Sequence, residues 1–172
     1  MKRFSASAIS MVVVASIVVV AMPAHAASTT LVSLAFDDNT ASQFTLGYEQ
    51  ALRPNGVTAS YFVNSGTIGS SKNFMTWAQL GSLAAAGNDI GGKTVNGINL
   101  KTTADAATKM REVCDDRTAL LQHGLDARTF AYPFGAFDQT AKDIVRSCGY
   151  GNARTGGGLS PSGPLFAEPM PP

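Results

Sequence analysis

Two adjacent carboxylates, Asp37 and Asp38, end an uncharged and mostly apolar run over residues 31–36. Such a run is typical of a buried strand, so the pair falls at the strand's carboxyl end. In α/β proteins this end of the sheet is where binding and catalytic sites are built. The pair could there hold a metal and provide a base. A helix cap is the alternative, because Asp38, Asn39 and Thr40 all suit the position before a helix.

The two cysteines, Cys114 and Cys148, are the next side chains with evident chemistry. Their even number favours one disulfide, and two free buried thiols are the alternative. The bond would close a long loop and add about 3–4 kcal/mol of stability through the unfolded state. Neither cysteine has metal-ligand spacing to the other.

The first residues predict export. Lys2 and Arg3 precede an apolar stretch over residues 11–21, and Ala24-His25-Ala26 forms a small-x-small cleavage site. We therefore expect a signal peptide over residues 1–26, with an uncleaved membrane anchor as the alternative. Cleavage would leave a secreted, periplasmic or cell-envelope protein with no membrane association, and oxidation of the cysteines suits that location.

Net charge and chain length limit the possible partners and the number of domains. The chain has 13 basic and 12 acidic side chains, which is a net charge of +1 at pH 7. A near-neutral chain without basic clusters argues against nucleic acid or an anionic membrane surface as a partner. The length suits one domain with its own core. Residues 157–172 are rich in Gly and Pro without periodicity and are interpreted as a tail.

Strands and helices are predicted to alternate, which indicates βα units and a largely parallel sheet. Apolar and β-branched runs predict strands, and amphipathic stretches ended by Gly or Pro predict helices. On the longest helix Lys109 is expected to remain solvated, and Trp77 at the start of another is interpreted as packing or as a sugar-stacking platform. The predicted strands are residues 31–38, 58–63, 88–92 and 128–132, and the predicted helices are 43–52, 77–86, 103–122 and 138–148.

Three stretches together resemble the polysaccharide deacetylases, also called NodB-homology or carbohydrate esterase family 4 proteins. They are Ala-Phe-Asp-Asp at 35–38, Asp-Ile-Gly-Gly-Lys-Thr-Val-Asn-Gly at 89–97 and Thr-Phe-Ala-Tyr-Pro-Phe-Gly at 129–135. Each stretch follows or ends a predicted strand, and their order fits the family. The resemblance implies a domain over residues 27–156 with an α/β fold, an irregular or incomplete (β/α) barrel.

The resemblance also implies an activity, which is hydrolysis of N-acetyl or O-acetyl groups on glycans. Expected partners are polysaccharides such as peptidoglycan, chitin-like or other acetylated glycans. A divalent metal, often zinc, is held in the family by one Asp and two His, and it activates water. By resemblance Asp37 matches the base, Asp38 the metal-binding Asp, and the backbone N–H of Phe134 the oxyanion donor. The groove positions that match are Tyr132, Pro133 and Gly135.

The metal motif departs from the family at both histidine positions, where this chain has Lys93 and Gly97. Lysine is a poor zinc ligand at neutral pH and glycine has no side chain. His123, at the end of the long helix, has a weak case as a ligand, and Ala131 stands where the third motif often has Arg. We therefore expect weak zinc binding or none. We hypothesise that Lys93 places its ammonium where the metal would sit and pairs with Asp38, with a solvent-directed Lys93 as the alternative.

The resemblance further implies a late segment with an acid His and closing strands, which this sequence does not contain. Three hypotheses follow. The chain is an exported deacetylase homologue that is inactive or impaired, a non-catalytic relative that still binds glycan, or the product of a truncated gene. For the second hypothesis Trp77, Tyr132 and Phe134 could supply stacking surfaces.

Overall fold

The fold is built on one sheet of five parallel strands. A computed structural model describes residues 32–103 and 105–156, so the predicted signal peptide and the tail lie outside the described residues. The strands follow each other across the sheet in chain order, with every neighbouring pair parallel. They are β1 Ala35–Asp37, β2 Ser60–Val63, β3 Asp89–Gly92, β4 Thr129–Ala131 and β5 Asn152–Arg154.

This topology confirms the predicted α/β class with a parallel sheet. In such a sheet the carboxyl ends of all strands share one edge. The fifth strand is an addition, because three residues between a turn and a Gly-rich segment carry too short a pattern to predict a strand. Its Cα register pairs Ala131 of β4 with Arg154 of β5, which brings Arg154 to the edge shared with Asp37.

Three α-helices cover the sheet, and each begins at a residue whose side chain accepts hydrogen bonds from the first turn. They are α1 Trp77–Ala85, capped by Thr76, α2 Ala106–Gln122, capped by Asp105, and α3 Gln139–Ser147, capped by Asp138. The predicted start of α2 at residue 103 was wrong by three residues. Asp105 takes the capping position there, and its carboxylate accepts the N–H groups of Ala107 and Thr108.

The helix predicted over residues 43–52 is present over Gln43–Leu52, but it is π-helical rather than α-helical. The N–H of Arg53 donates to the carbonyl of Tyr48, five residues earlier. Within the described residues, no helix has the length and apolar character needed to cross a bilayer.

The core lies between the sheet and the helices. The largest fully buried side chains include Tyr61, Phe130, Leu80, Leu83 and Val113, contributed by β2, β4, α1 and α2. The predicted disulfide is confirmed, since Cys114 of α2 is bonded to Cys148 at the end of α3 over a sequence separation of 34 residues. It ties α2 to α3, and these two helices pack against each other. One prediction on α2 was wrong, because Lys109 is buried and pairs with Asp138.

Candidate functional site

Four charged side chains meet at the carboxyl edge of the sheet. Lys93, directly after β3, places its Nζ 2.8 Å from Oδ1 of Asp38 and 3.4 Å from Oδ1 of Asp37. Nη2 of Arg154, at the end of β5, lies 2.6 Å from the same Asp37 oxygen. The cations are the more buried members, with side chains 11% and 23% exposed, against 36% for Asp37 and 60% for Asp38. The cluster is therefore neutral in formal charge and presents its carboxylates to solvent.

The turn after β1 directs Asp38 toward this cluster. Asp38 and Asn39 have φ angles of 69° and 38°, a left-handed conformation that costs a non-glycine residue about 1–2 kcal/mol. Tertiary hydrogen bonds offset that cost. The N–H of Asp38 donates to the carbonyl of Phe62 at 3.0 Å, and the fully buried Asn39 accepts the N–H of Asn64 at 2.9 Å.

The helix-cap alternative for Asp38 is wrong. The helix that follows begins after Ser42, which makes no side-chain cap hydrogen bond. The carboxylate of Asp38 is bonded instead to the Lys93 ammonium, 55 residues further along the chain. The pairing hypothesised for Lys93 is thus present in the structure, and the solvent-directed alternative is not.

The backbone of Lys93 is also held by hydrogen bonds. Its N–H donates to the carbonyl of Val63 at 2.8 Å and to Oδ2 of Asp116 at 3.1 Å. Its carbonyl accepts from Nδ2 of Asn64 at 2.5 Å. The ends of β2 and β3 are therefore bonded to each other where Lys93 leaves the sheet, and this fixes the direction of its side chain.

Sequence reasoning missed two residues of this region, Arg154 and Asp116. Arg154 stacks its guanidinium over the ring of Phe62 at 4.2 Å and pairs with Asp37. The sequence did carry one signal for Arg154. Ala131 of β4 stands where the third motif often has Arg, and Arg154 is its register partner on the neighbouring strand β5. Asp116 lies on α2 with no exposed surface, in a helix whose sequence pattern is amphipathic, and no local pattern indicates its contacts.

The segment after β4 presents one exposed aromatic ring beside the edge. Phe134 has a φ of 59° and is 80% exposed, whereas the preceding Pro133 is buried. Gly135 also has a positive φ, and a Cβ there would lie 2.8 Å from the backbone nitrogen of Gly156. Tyr132 is only 5% exposed, and its ring packs against Phe130 and Phe137. Burial raises the pKa of Tyr132 to about 12.

Three further candidate residues are Gly97, His123 and Trp77. Gly97 is in a turn with φ 69°, where its N–H donates to Oγ1 of Thr94 at 2.9 Å. His123 follows α2, at the end of that helix that leads toward the start of β4, and its Nδ1 lies 2.9 Å from the carbonyl oxygen of Ala119. The His123 ring stacks on the Trp77 ring with centroids 3.6 Å apart, so Trp77 packs within the protein.

The residues at this edge do not fit a zinc centre. In residues 32–103 and 105–156 no three His, Cys, Asp or Glu side chains are grouped to hold an ion. A catalytic zinc needs three protein ligands and an open position. Here the facing oxygens of both carboxylates already accept from Lys93 and Arg154.

The fold and this edge define a class, the parallel α/β half-barrels that carry an Asp pair at the end of the first strand. The chain belongs to the polysaccharide deacetylase family, whose sequence profile matches residues 25–153. That family is normally metal-dependent and acts on acetylated polysaccharides. No curated protein is significantly similar to the chain in sequence.

Solved structures support the same fold. The deacetylase PplD of Streptococcus pyogenes, in complex with acetate, is 23% identical with a TM-score of 0.67, and the match covers 72% of this chain and 54% of that one. IcaB from Ammonifex degensii is 22% identical with a TM-score of 0.65, covering 72% and 58%. A family 4 carbohydrate esterase from Streptomyces lividans, in complex with acetate, is 20% identical with a TM-score of 0.60, covering 72% and 60%. The chain thus spans between half and two thirds of each of these proteins.

Proposed function

We propose that this chain is a polysaccharide deacetylase homologue that does not hydrolyse acetyl groups through a metal ion, because the Lys93 ammonium takes the ion's place. The observation that carries the proposal is the 2.8 Å contact between Nζ of Lys93 and Oδ1 of Asp38, with Asp37 3.4 Å from the same ammonium. One cation here serves two carboxylates that relatives use for the base and the metal.

Electrostatics supports the replacement. Two unit charges 4 Å apart interact by about 4 kcal/mol at the effective dielectric near a protein surface. A divalent ion beside Asp38 would be repelled by Lys93 and by Arg154, while the two carboxylates that attract it are already neutralised. Zinc would therefore have to displace the ammonium, and glycine at position 97 offers no ligand to compensate.

Zinc titration by calorimetry tests this proposal. The wild type is expected to show no tight one-to-one binding. Lys93→His removes the ammonium and adds an imidazole beside both carboxylates, and Lys93→His/Gly97→His adds a second one at a cost of about 1 kcal/mol for the left-handed backbone at position 97. Both variants are expected to take up zinc. Lys109→His, at the other buried lysine that pairs with an Asp, is the matched control and is expected to bind none.

Acetate release provides the second readout. The wild type is expected to release no acetate from acetylated chitooligosaccharides or peptidoglycan, with or without added zinc. Tight one-to-one zinc binding by the wild type, or acetate release that a chelator abolishes, would overturn the proposal.

We also propose that the edge beside β4 binds an acetylated glycan without deacetylating it. Support comes from the family's substrate class and from Phe134, a ring held 80% exposed in a left-handed backbone conformation. A large aromatic held outside the core at such a cost is suited to stacking on a sugar face. Phe134→Ala is expected to weaken binding to insoluble peptidoglycan or chitin about tenfold, because one aromatic stacking contact contributes about 1 kcal/mol. Met110→Ala, at an exposed residue of α2, is the control that should bind as the wild type does.

Export is the third part of the proposal, with residues 1–26 as a cleaved signal peptide. The basic residues Lys2 and Arg3 before the apolar stretch support it, and so does the Cys114–Cys148 disulfide, which suits an oxidising compartment. N-terminal sequencing of the protein recovered from the host's envelope or medium is expected to begin at Ala27. Recovery of the chain with residues 1–26 intact would contradict this part.

A further inference from the structure

A buried carboxylate contacts the backbone of Lys93. Asp116 of α2 has no exposed surface, and its Oδ1 accepts the N–H of Ser65 at 2.9 Å. Its Oδ2 accepts the N–H of Lys93 at 3.1 Å and the hydroxyl of Tyr150 at 3.3 Å. These three donors come from the residues after β2, the end of β3 and the residues before β5. The Asp116 carboxylate therefore connects the segments that end β2, end β3 and lead into β5, and one of its donors is Lys93 of the four-charge cluster.

The strand end is shaped to admit this carboxylate. Gly92 is the last residue of β3, and a Cβ at that position would overlap both Oδ2 of Asp116 and the Tyr150 hydroxyl. Any side chain there would push α2 and Tyr150 away from the sheet. The position directly before Lys93 thus allows Asp116 to reach the Lys93 backbone.

Among residues 32–103 and 105–156, no lysine, arginine or histidine forms an ion pair with Asp116. Tyr150 is the titratable group on the opposite side, and burial raises its pKa, so it stays a neutral donor. The next residue, Arg117, sends its guanidinium to the carbonyls of Ala127 and Cys148 instead. The ammonium of Lys93 points to Asp38. Desolvation consequently raises the pKa of Asp116 to about 6, although its hydrogen bonds from Ser65, Tyr150 and Lys93 act in the opposite direction.

We propose that Asp116 is the positioning residue of the site, which holds Lys93 over the Asp37–Asp38 pair while it is ionised and releases that hold when it takes up a proton. Protonation converts one carboxylate oxygen from an acceptor into an O–H donor. A proton on Oδ2 that points toward the Lys93 N–H meets a second donor, so the 3.1 Å hydrogen bond from Lys93 to Asp116 is lost and the Lys93 N–H keeps only its 2.8 Å bond to the Val63 carbonyl. The inference rests on the proposed function, because it assigns to Asp116 the control of the residue that stands in the metal's place.

Backbone and lysine NMR of the full chain tests the inference directly. In the wild type the amide resonances of Ser65 and Lys93 are expected to titrate together with a midpoint near pH 6. The hydrogen-bonded ammonium resonance of Lys93 is expected to lose its protection from exchange over the same range. That of Lys109, which is paired 2.9 Å from Asp138, is the internal reference and should remain protected.

Three variants separate positioning from a merely structural role. Asp116→Asn is expected to abolish the shared titration, and Asp115→Asn, at the exposed neighbour on the same helix, is expected to leave it unchanged. Tyr150→Phe keeps the carboxylate but removes a hydrogen bond that lowers its pKa, so the midpoint should move to higher pH. If Asp116→Asn does not fold, the shift of the midpoint in Tyr150→Phe still tests the inference.

Two results would overturn the inference: wild-type Ser65 and Lys93 amides that do not titrate between pH 5 and 7, or a Lys93 ammonium whose protection does not follow theirs. Neither readout involves zinc or acetate. A chain that binds zinc tightly would refute the proposed function while the titration still reports on Asp116, so the two failures are distinguishable.

Discussion

Arg154 donates a hydrogen bond of 2.6 Å from Nη2 to Oδ1 of Asp37, although the two residues are 117 positions apart and lie on β5 and β1, the outermost strands of the sheet. A flat five-stranded sheet would keep its outer strands about 19 Å apart. The contact therefore requires a sheet curved like half of a barrel, in which the carboxyl ends of the outer strands converge. The long arginine side chain spans the remaining gap, with Phe62 of β2 beneath its guanidinium.

The first prediction concerns this contact. Arg154→Gln is expected to lower the free energy of unfolding by about 1 kcal/mol, because it removes a partly exposed ion pair and the stacking on Phe62. Urea denaturation measures the change. Arg128→Gln is the matched control, since the Arg128–Asp126 pair is mostly exposed and should contribute little. An equal loss in both variants would show that the contact across the sheet adds nothing beyond an ordinary surface pair.

Much of this fold follows from local patterns in the sequence. The strands β1 to β4 each lie within a predicted strand, and the helices end at glycines or begin at capping residues. The prediction of a buried strand over residues 31–38 was wrong in extent and burial, because β1 is only Ala35–Asp37 at an outer edge of the sheet and Val32 and Leu34 before it are exposed. The Asp37–Asp38 pair and Lys93 fall at strand ends in that pattern, so their meeting at one sheet edge is predictable.

The remaining features depend on tertiary packing. Whether Asp38 caps a helix or pairs with Lys93 is decided by Asn39 and the end of β2, and no local preference reveals those contacts. Lys109 lies among other charged residues on α2 and is nevertheless buried, because Asp138 at the start of α3 supplies its partner. Arg154 could not be placed at the site without the curvature of the sheet.

The second prediction concerns the disulfide. Cys114→Ser/Cys148→Ser is expected to lower the free energy of unfolding by about 3 kcal/mol, since the bond closes a loop with a separation of 34 residues. Thermal or urea denaturation measures the loss. A reductant should destabilise the wild type by a similar amount and leave the double variant unchanged, and a reductant effect on the variant would point to a different cause.

The third prediction concerns the pH dependence of stability. The pKa of Asp116 is about 6 in the folded chain, above its usual value of 3.8, so the folded chain binds this proton more tightly than the unfolded chain. This group therefore adds stability that is fully present below pH 3.8 and is lost as the pH rises through about 6. A tenfold difference in proton affinity between the folded and unfolded chain is worth about 1.4 kcal/mol, and the two pKa values of Asp116 therefore make the full effect about 3 kcal/mol.

Comparing the wild type with Asp116→Asn separates the effect of Asp116 from the effects of other carboxyl groups. The pKa of Asp138 is lowered by its hydrogen bonds to the Ala141 N–H and Lys109, and the pKa of Asp105 is lowered by its bonds to Thr108 and Ala107, so both contribute in the opposite direction. The difference in unfolding free energy between the wild type and Asp116→Asn should increase in favour of the wild type as the pH falls from 7 to 4. Urea denaturation at a series of pH values measures it, and a difference independent of pH would contradict the raised pKa.

The fourth prediction compares two glycines. Gly92→Ala is expected to lower the free energy of unfolding by about 2–4 kcal/mol, because the new methyl group would overlap the Asp116 carboxylate and the Tyr150 hydroxyl, and neither can move without breaking the bond between them. Gly81→Ala places the same methyl group on α1, where nothing lies within 4 Å of it. That change should raise stability by about 0.5–1 kcal/mol through the higher helix propensity of alanine. Opposite signs in urea denaturation would show that the close approach at β3 is required, whereas a tolerated alanine at position 92 would mean that Asp116 does not reach the end of the strand.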